Sequence, residues 1–200
     1  DDLILPPIAF DVRVMSIGMF IDDPGTPVAW RGPMLHRTIS QFLSDVYFGD
    51  LDILLLDLPP GTGDIAISIG QLLPHAEVLV VTTPQIAAAS VAERSGRVAE
   101  QTGQRVRGVI ENMAGFALPD GSIAEIFGSG GGERVAERLG APLLARIPLS
   151  VDLRAGGDAG VPIVASSPAE PAAQVIATLA EQLAVRTEPL HGRPLPVSPK

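Results

Sequence analysis

Asp57 and Asp64 bracket the string DLPPGTGD, which directly follows the apolar run Ile53, Leu54, Leu55 and Leu56. That run shows no alternation, as a parallel strand covered on both faces requires, and it predicts a strand over 53–56. Asp57 then falls at the carboxyl end of a strand, where open α/β sheets place their ligands. Pro59 and Pro60 offer no N–H to a ladder, so the strand is expected to stop there. Gly61 and Gly63 are expected to admit φ values and close approaches that a side chain forbids, leaving backbone N–H groups to face an anion. Asp64 is expected to cap a helix starting at Ile65. The layout is that of a nucleotide-triphosphate site, with an acid near Mg²⁺ and a backbone loop near the terminal phosphate. An ordinary strand-to-helix turn is the competing reading, but it needs neither the paired prolines nor the bracketing acids.

The elements that must position this string alternate along the chain. Strands are expected at Val12–Ile17, Ile53–Leu56, Val78–Thr82, Val106–Ile110 and Leu143–Ile147, with helices between them, the pattern of a mostly parallel sheet with helices on both faces. After Pro33, a first-turn proline, Leu35, Ile39, Phe42, Leu43 and Val46 share one helical face, and that face and Met34 are assigned to the core. Ala87 to Gln101 reads as an alanine-rich helix ended by Gly103. A last helix starts at Pro171, with Val175, Ile176, Leu179 and Leu183 on one face. Residues 1–186 read as part of a single domain and 187–200 as a proline-rich disordered tail.

Two hundred residues suit one domain that buries roughly 70% of its unfolded surface. The formal charge of −9 argues against broad nucleic-acid binding, which needs a basic face. No apolar run reaches the ~18 residues of a membrane span. The chain contains no cysteine, which rules out a disulfide framework and agrees with a cytoplasmic protein.

The segments VMSI (14–17), WRGPM (30–34), DLPPGTGD (57–64), VTTPQ (81–85), ENM (111–113), IFGSGGG (126–132) and IPLSVDLRAGGDAGVP (147–162) resemble the Mrp family. That family is a branch of the deviant-Walker P-loop ATPases related to MinD and ParA. The resemblance spans about residues 3 to 185, with the motifs in family order. It implies a P-loop NTPase fold of the SIMIBI type, ATP and Mg²⁺ as cofactors, a homodimer, and iron–sulfur cluster assembly or transfer with client or assembly proteins as partners. On this reading Asp57 holds Mg²⁺ through a water, and Gly61, Thr62 and Gly63 sense the γ-phosphate. Asn112 reads the adenine base and Pro148 lies against it. Asn112 carries an amide able to donate and accept in one plane; without the resemblance it reads as a turn residue, and Pro148 as a loop stiffener.

Two departures from the family pattern qualify that expectation. The P-loop needs a lysine beside a Ser or Thr, yet the only lysine is Lys200. The glycine-rich run from Gly128 to Gly140 supplies no substitute, because Glu133 and Arg134 follow its glycines, and it reads as a flexible turn entering a helix. The chain is therefore expected to be an N-terminally truncated fragment, inactive by itself and poorly soluble. The family's C-x-x-C after ENM is replaced by AGFALPDGS (114–122), so no iron–sulfur ligands are assigned, cluster ligation requiring thiolates.

Smaller groups stay open. Thr83, Pro84 and Gln85 shape either the site or a helix start. Asp152 and Arg154 form a local pair or face a partner subunit, and Arg31 touches a partner or stacks on Trp30. His36, His75 and His191 have no metal-ligand spacing. A non-catalytic interaction protein on a degenerate nucleotide fold is the alternative function. A ParA/MinD-type positioning ATPase is a third, which would carry a basic surface or a basic membrane helix.

Overall fold

The computed structural model describes residues 3–20, 32–59 and 63–185. Trp30, Arg31, Pro60, Gly61, Thr62, His191 and the proline-rich tail lie outside the described residues.

A short antiparallel hairpin, β1 (Ile8–Ala9) and β2 (Val12–Arg13), opens the described chain, followed by a 3₁₀ turn over Ile17–Phe20. Only the first two residues of the expected 12–17 strand are therefore extended and paired. Next come α1 (Gly32–Ser44) and α2 (Asp64–Leu72). Ile4 forms a parallel bridge with Val46 just after α1, and Phe42 packs on Phe20 with ring centroids 5.8 Å apart. Val46 is buried as expected, whereas Met34 is 56% exposed and not part of the core.

The sheet that organises the rest is parallel, in the order β3 (Glu77–Thr82), β4 (Arg105–Asn112), β7 (Leu143–Ile147). All three strands match the apolar runs read from the sequence, β4 extending two residues further to Asn112. Between β3 and β4 runs α3 (Ile86–Gln101); between β4 and β7 lie the hairpin β5 (Phe116–Ala117), β6 (Ile123–Ala124) and then α4 (Gly131–Leu139). After β7 come α5 (Val151–Ala159), α6 (Ile163–Ser166) and α7 (Pro171–Ala184). Helices α3 and α4 pack on one face of the sheet and on each other, burying Val80, Ala89, Ala92, Val109, Val135, Ala136 and Leu139 as one core. Small residues make this packing close: a Cβ on Gly96 of α3 would run into the Leu139 side chain.

Helix α7 packs against β7, and its buried residues are Ala172, Ala173 and Leu179. Its start is capped by Glu170, whose carboxylate accepts the N–H groups of Ala172 and Ala173. Its end is fastened by Arg107, which donates to the carbonyls of Gln182 and Val185 while pairing with Glu77 at 2.6 Å. The sequence signalled the proline at the start of α7; the arginine clamp at its end comes from a strand 75 residues away.

The expected strand over 53–56 is not formed. Residues 51–58 are irregular and exposed, Leu55 to 78% and Ile53 to 51%. A parallel strand exists only through a neighbour that takes up its N–H and C=O groups. Among the described residues, no strand forms a ladder with 51–58, and β3 ends the sheet on that side. The apolar pattern was read correctly, but it describes a strand's faces and cannot supply its ladder partner.

Candidate functional site

The carboxyl ends of β3, β4 and β7 carry five of the described candidate residues, Thr83, Pro84, Gln85, Asn112 and Pro148. Asn112 is the last residue of β4 and is paired in register with Ile147, the last residue of β7. Pro148 follows immediately, so the two residues that the family resemblance assigned to the base, separated by 36 positions (148 − 112) in sequence, end on adjacent strands. Two further bonds lock these strand ends together. The Ala114 N–H donates to the Ile147 carbonyl at 2.9 Å, and the Leu149 N–H donates to the Gly115 carbonyl at 2.8 Å. Both Asn112 and Pro148 are half-buried.

The Asn112 side chain is itself held. Its Oδ1 accepts the N–H of Met113 at 2.9 Å, which fixes the amide plane and leaves its NH₂ group as the donor end. Met113 has φ +60°, a left-handed conformation unusual for a non-glycine residue. An amide donor and a proline on the ends of adjacent strands, at the ligand edge of a parallel sheet, can offer one hydrogen bond and one apolar surface to a flat heterocycle.

Glu111, the residue before Asn112, is only 2% exposed. Its Oε2 accepts the N–H of Gly132 in the first turn of α4 at 2.5 Å, and its Oε1 lies 3.5 Å from Nε of Arg146. Arg146 also pairs with Glu133. A carboxylate is costly to bury unless paired and hydrogen-bonded, and here a guanidinium and a helix N-terminus share that task. The sequence reading passed over Glu111. A charged residue inside the apolar strand VRGVIEN was the available signal, because such a residue must have a specific partner.

The glycine-rich run enters a helix, α4, as read from the sequence, and its helical end is closely packed. Gly131 and Gly132 are buried, and a Cβ on Gly131 would stand 2.5 Å from the Thr83 carbonyl oxygen and 2.6 Å from that of Pro84. The β3–α3 turn therefore rests directly on the start of α4. Gln85 is the residue before α3 and makes no side-chain cap bond. Thr83, buried at its hydroxyl, has no hydrogen-bond partner for that oxygen.

The DLPPGTGD string is described in part. Asp57 is exposed and lies in the irregular segment, not at a strand end. Gly63 is the residue before α2, with φ −78° and ψ −175°, and open space where a Cβ would sit. Gly63 uses no left-handed φ, contrary to expectation. Asp64 is the first residue of α2 and not its cap. Arg154 pairs with Asp158 one turn along α5, at 2.7 Å, and not with Asp152. Among the described residues no group of three or more His, Cys, Asp or Glu could hold a metal ion. No described helix is long and apolar enough to cross a membrane.

A parallel sheet with helices between its strands and polar side chains at their carboxyl ends defines an α/β protein of the nucleotide-binding kind. Residues 1–184 match the family described as ParA, NUBPL iron-transfer P-loop NTPase, and the chain belongs to that family. It is 56% identical over its whole length to an iron–sulfur cluster carrier protein of Mycobacterium leprae, covering 53% of that protein. Against the iron–sulfur cluster carrier protein of Synechocystis it is 43% identical over 92% of the chain and 52% of the relative. The chain thus spans about half the length of the curated relatives it matches. Among solved structures, it is similar to a nucleotide-binding protein from Archaeoglobus fulgidus in complex with ADP. That likeness has a TM-score of 0.65 and 33% identity, over 80% of this chain and 62% of the other. It is also similar to the septum site-determining protein MinD of Pyrococcus horikoshii complexed with Mg-ADP, with TM-score 0.57 and 26% identity over 76% and 56%. Resemblance to the P-loop ATPases related to MinD and ParA, read from the motifs, agrees with these likenesses.

Proposed function

We propose that the complete gene product binds an adenine nucleotide at the carboxyl edge of this sheet, hydrolyses ATP slowly, and uses the cycle in iron–sulfur cluster assembly or transfer. The observation that carries the reading is the pairing of Asn112 with Ile147, which sets an amide donor beside Pro148 at the ligand edge. The likeness to a protein solved with ADP supports it, as do relatives named iron–sulfur cluster carrier proteins.

In this reading Asn112 donates to the base and Pro148 packs against its face. Asp57 accepts from a water of the Mg²⁺ shell. One exposed carboxylate suits that role, since Mg²⁺ in nucleotide sites keeps several waters and takes one or two carboxylates plus phosphate oxygens. The ion's chemistry there is neutralisation of phosphate charge. Gly61, Thr62 and Gly63 follow the γ-phosphate and transmit its loss, the usual logic of a nucleotide switch. A homodimer is the proposed state in which that switch acts. The chain has no cysteine, so its own residues do not fit an iron–sulfur cluster held by thiolates. That same fact favours a second reading, an interaction protein in which the nucleotide edge is kept without cluster carriage.

Calorimetric titration of the complete gene product with ATP and ADP, together with a phosphate-release assay, tests the first reading. Binding, and loss of hydrolysis in Asp57→Ala, are expected. Absence of ATP binding, or unchanged hydrolysis in Asp57→Ala, would overturn it.

A further inference from the structure

Met113 holds a left-handed conformation directly after two residues with opposite duties. Glu111 is turned into the protein, against α4, and Asn112 bonds its own following N–H. Strained turns persist where the surroundings over-determine them. Here the determinants are the Gly132 N–H on Glu111, the Ala114 N–H on Ile147, and the Leu149 N–H on Gly115. Only the first comes from a side chain, and only the first lies before Asn112. An apolar residue at position 111 would bury at less cost, but it would leave the Gly132 N–H without this partner and the end of β4 held only through its backbone bonds to neighbouring strands.

We propose that Glu111 is a positioning residue for base recognition: its carboxylate, by accepting the Gly132 N–H, ties the end of β4 to the first turn of α4 and so sets the direction in which Asn112 presents its amide. The proposal rests on the reading of Asn112 as the base-facing residue. Gly132 is part of the device, since a Cβ there would stand 2.8 Å from Cβ and 3.0 Å from Oε2 of Glu111. Through Gly131, packed on Thr83 and Pro84, the same anchor reaches the end of β3. One buried carboxylate thereby sets the spacing of three segments at the ligand edge.

The acceptor and its reach matter more than its charge, and this separates the proposal from a general structural role. Glu111→Gln keeps an oxygen acceptor for the Gly132 N–H and places an NH₂ group where the other carboxylate oxygen faces Arg146. Glu111→Asp keeps the charge but is one methylene short. The test is calorimetric titration of the complete gene product and these variants with ADP, GDP and inorganic tripolyphosphate, at a temperature where each is folded by circular dichroism. Glu111→Asp is expected to lower the ADP-over-GDP preference about tenfold, the worth of one hydrogen bond, and to leave tripolyphosphate binding unchanged. Glu111→Gln is expected to keep most of the preference. A Glu111→Asp protein that melts lower yet keeps the wild-type ADP/GDP ratio would overturn the proposal, as would Glu111→Gln losing more preference than Glu111→Asp. Asn112→Ala separates the underlying reading: if it leaves the ratio unchanged while Glu111→Asp alters it, the base is read elsewhere and the assignment of Asn112 falls with the route proposed through it. Should Glu111→Asp fail to fold, Gly132→Ala displaces the same bond, and it must lower the ratio likewise.

Discussion

At the scale of single residues, the site depends on close approaches that admit no extra atoms. Gly131→Ala would push a methyl group against two backbone carbonyls at 2.5 and 2.6 Å, while Gly132→Ala meets Cβ of Glu111, fixed to its own backbone, at 2.8 Å. Both substitutions are expected to destabilise by about 1–3 kcal/mol, the range for overpacking, with Gly131→Ala the larger. Urea denaturation of the two variants side by side checks the order. Asp120 gives a pH-dependent case in the β5–β6 hairpin. Hydrogen bonds from the Ser122 hydroxyl and then the Ser122 N–H hold its carboxyl below the ordinary value of 3.8. Because the folded value is depressed, this contribution is fully present above the ordinary value and lost as pH falls through the folded one. An NMR titration of the Ser122 amide should therefore move only in acid, and Asp120→Asn should abolish the movement.

At the scale of elements, the contact of α3 with α4 holds the sheet's covered face. Gly96 and Leu139 fit as a small-to-large pair. Leu139→Ala is expected to cost about 2–5 kcal/mol through the cavity it leaves, and Gly96→Ala costs by overpacking. The double variant should cost less than the sum by at least about 0.5 kcal/mol, because each change relieves the other. Thermal melts of the four proteins measure that coupling, and strict additivity would refute the packing described. Helix α7 depends on caps of two origins. Glu170→Ala removes the acceptor of two N–H groups and should cost about 1 kcal/mol; a change below the error of the melt would mean that water replaces the carboxylate without loss.

At the scale of the whole molecule, many large apolar side chains stay exposed among the described residues. Leu55, Ile86 and Val81 are 78%, 65% and 57% exposed, and β3 has no ladder partner on its outer edge among the described residues. Large apolar patches and bare strand edges promote association. Residues 1–200 expressed alone are therefore expected to run as aggregates or high oligomers in size-exclusion chromatography. A monodisperse, cooperatively melting monomer would contradict this.

The sequence by itself determined the parts whose signal is local. The apolar runs 78–82, 106–110 and 143–147 became β3, β4 and β7, each with a neighbouring strand that takes up its ladder groups. Helices α3 and α7 followed from periodicity with Gly103 and Pro171 as punctuation. The motif order was enough to point to the P-loop ATPases. Tertiary structure alone decided what depends on partners far along the chain. Residues 51–58 carry a strand's pattern and stay irregular, because a ladder needs a neighbour and pattern cannot provide one. Asn112 and Pro148 come to the same sheet edge through the register of β4 with β7, and Glu111 meets Gly132 across 21 residues. No spacing rule encodes such meetings, since they are fixed by the packing of α4 and β7 around β4, where each buried polar group must find its partner in space.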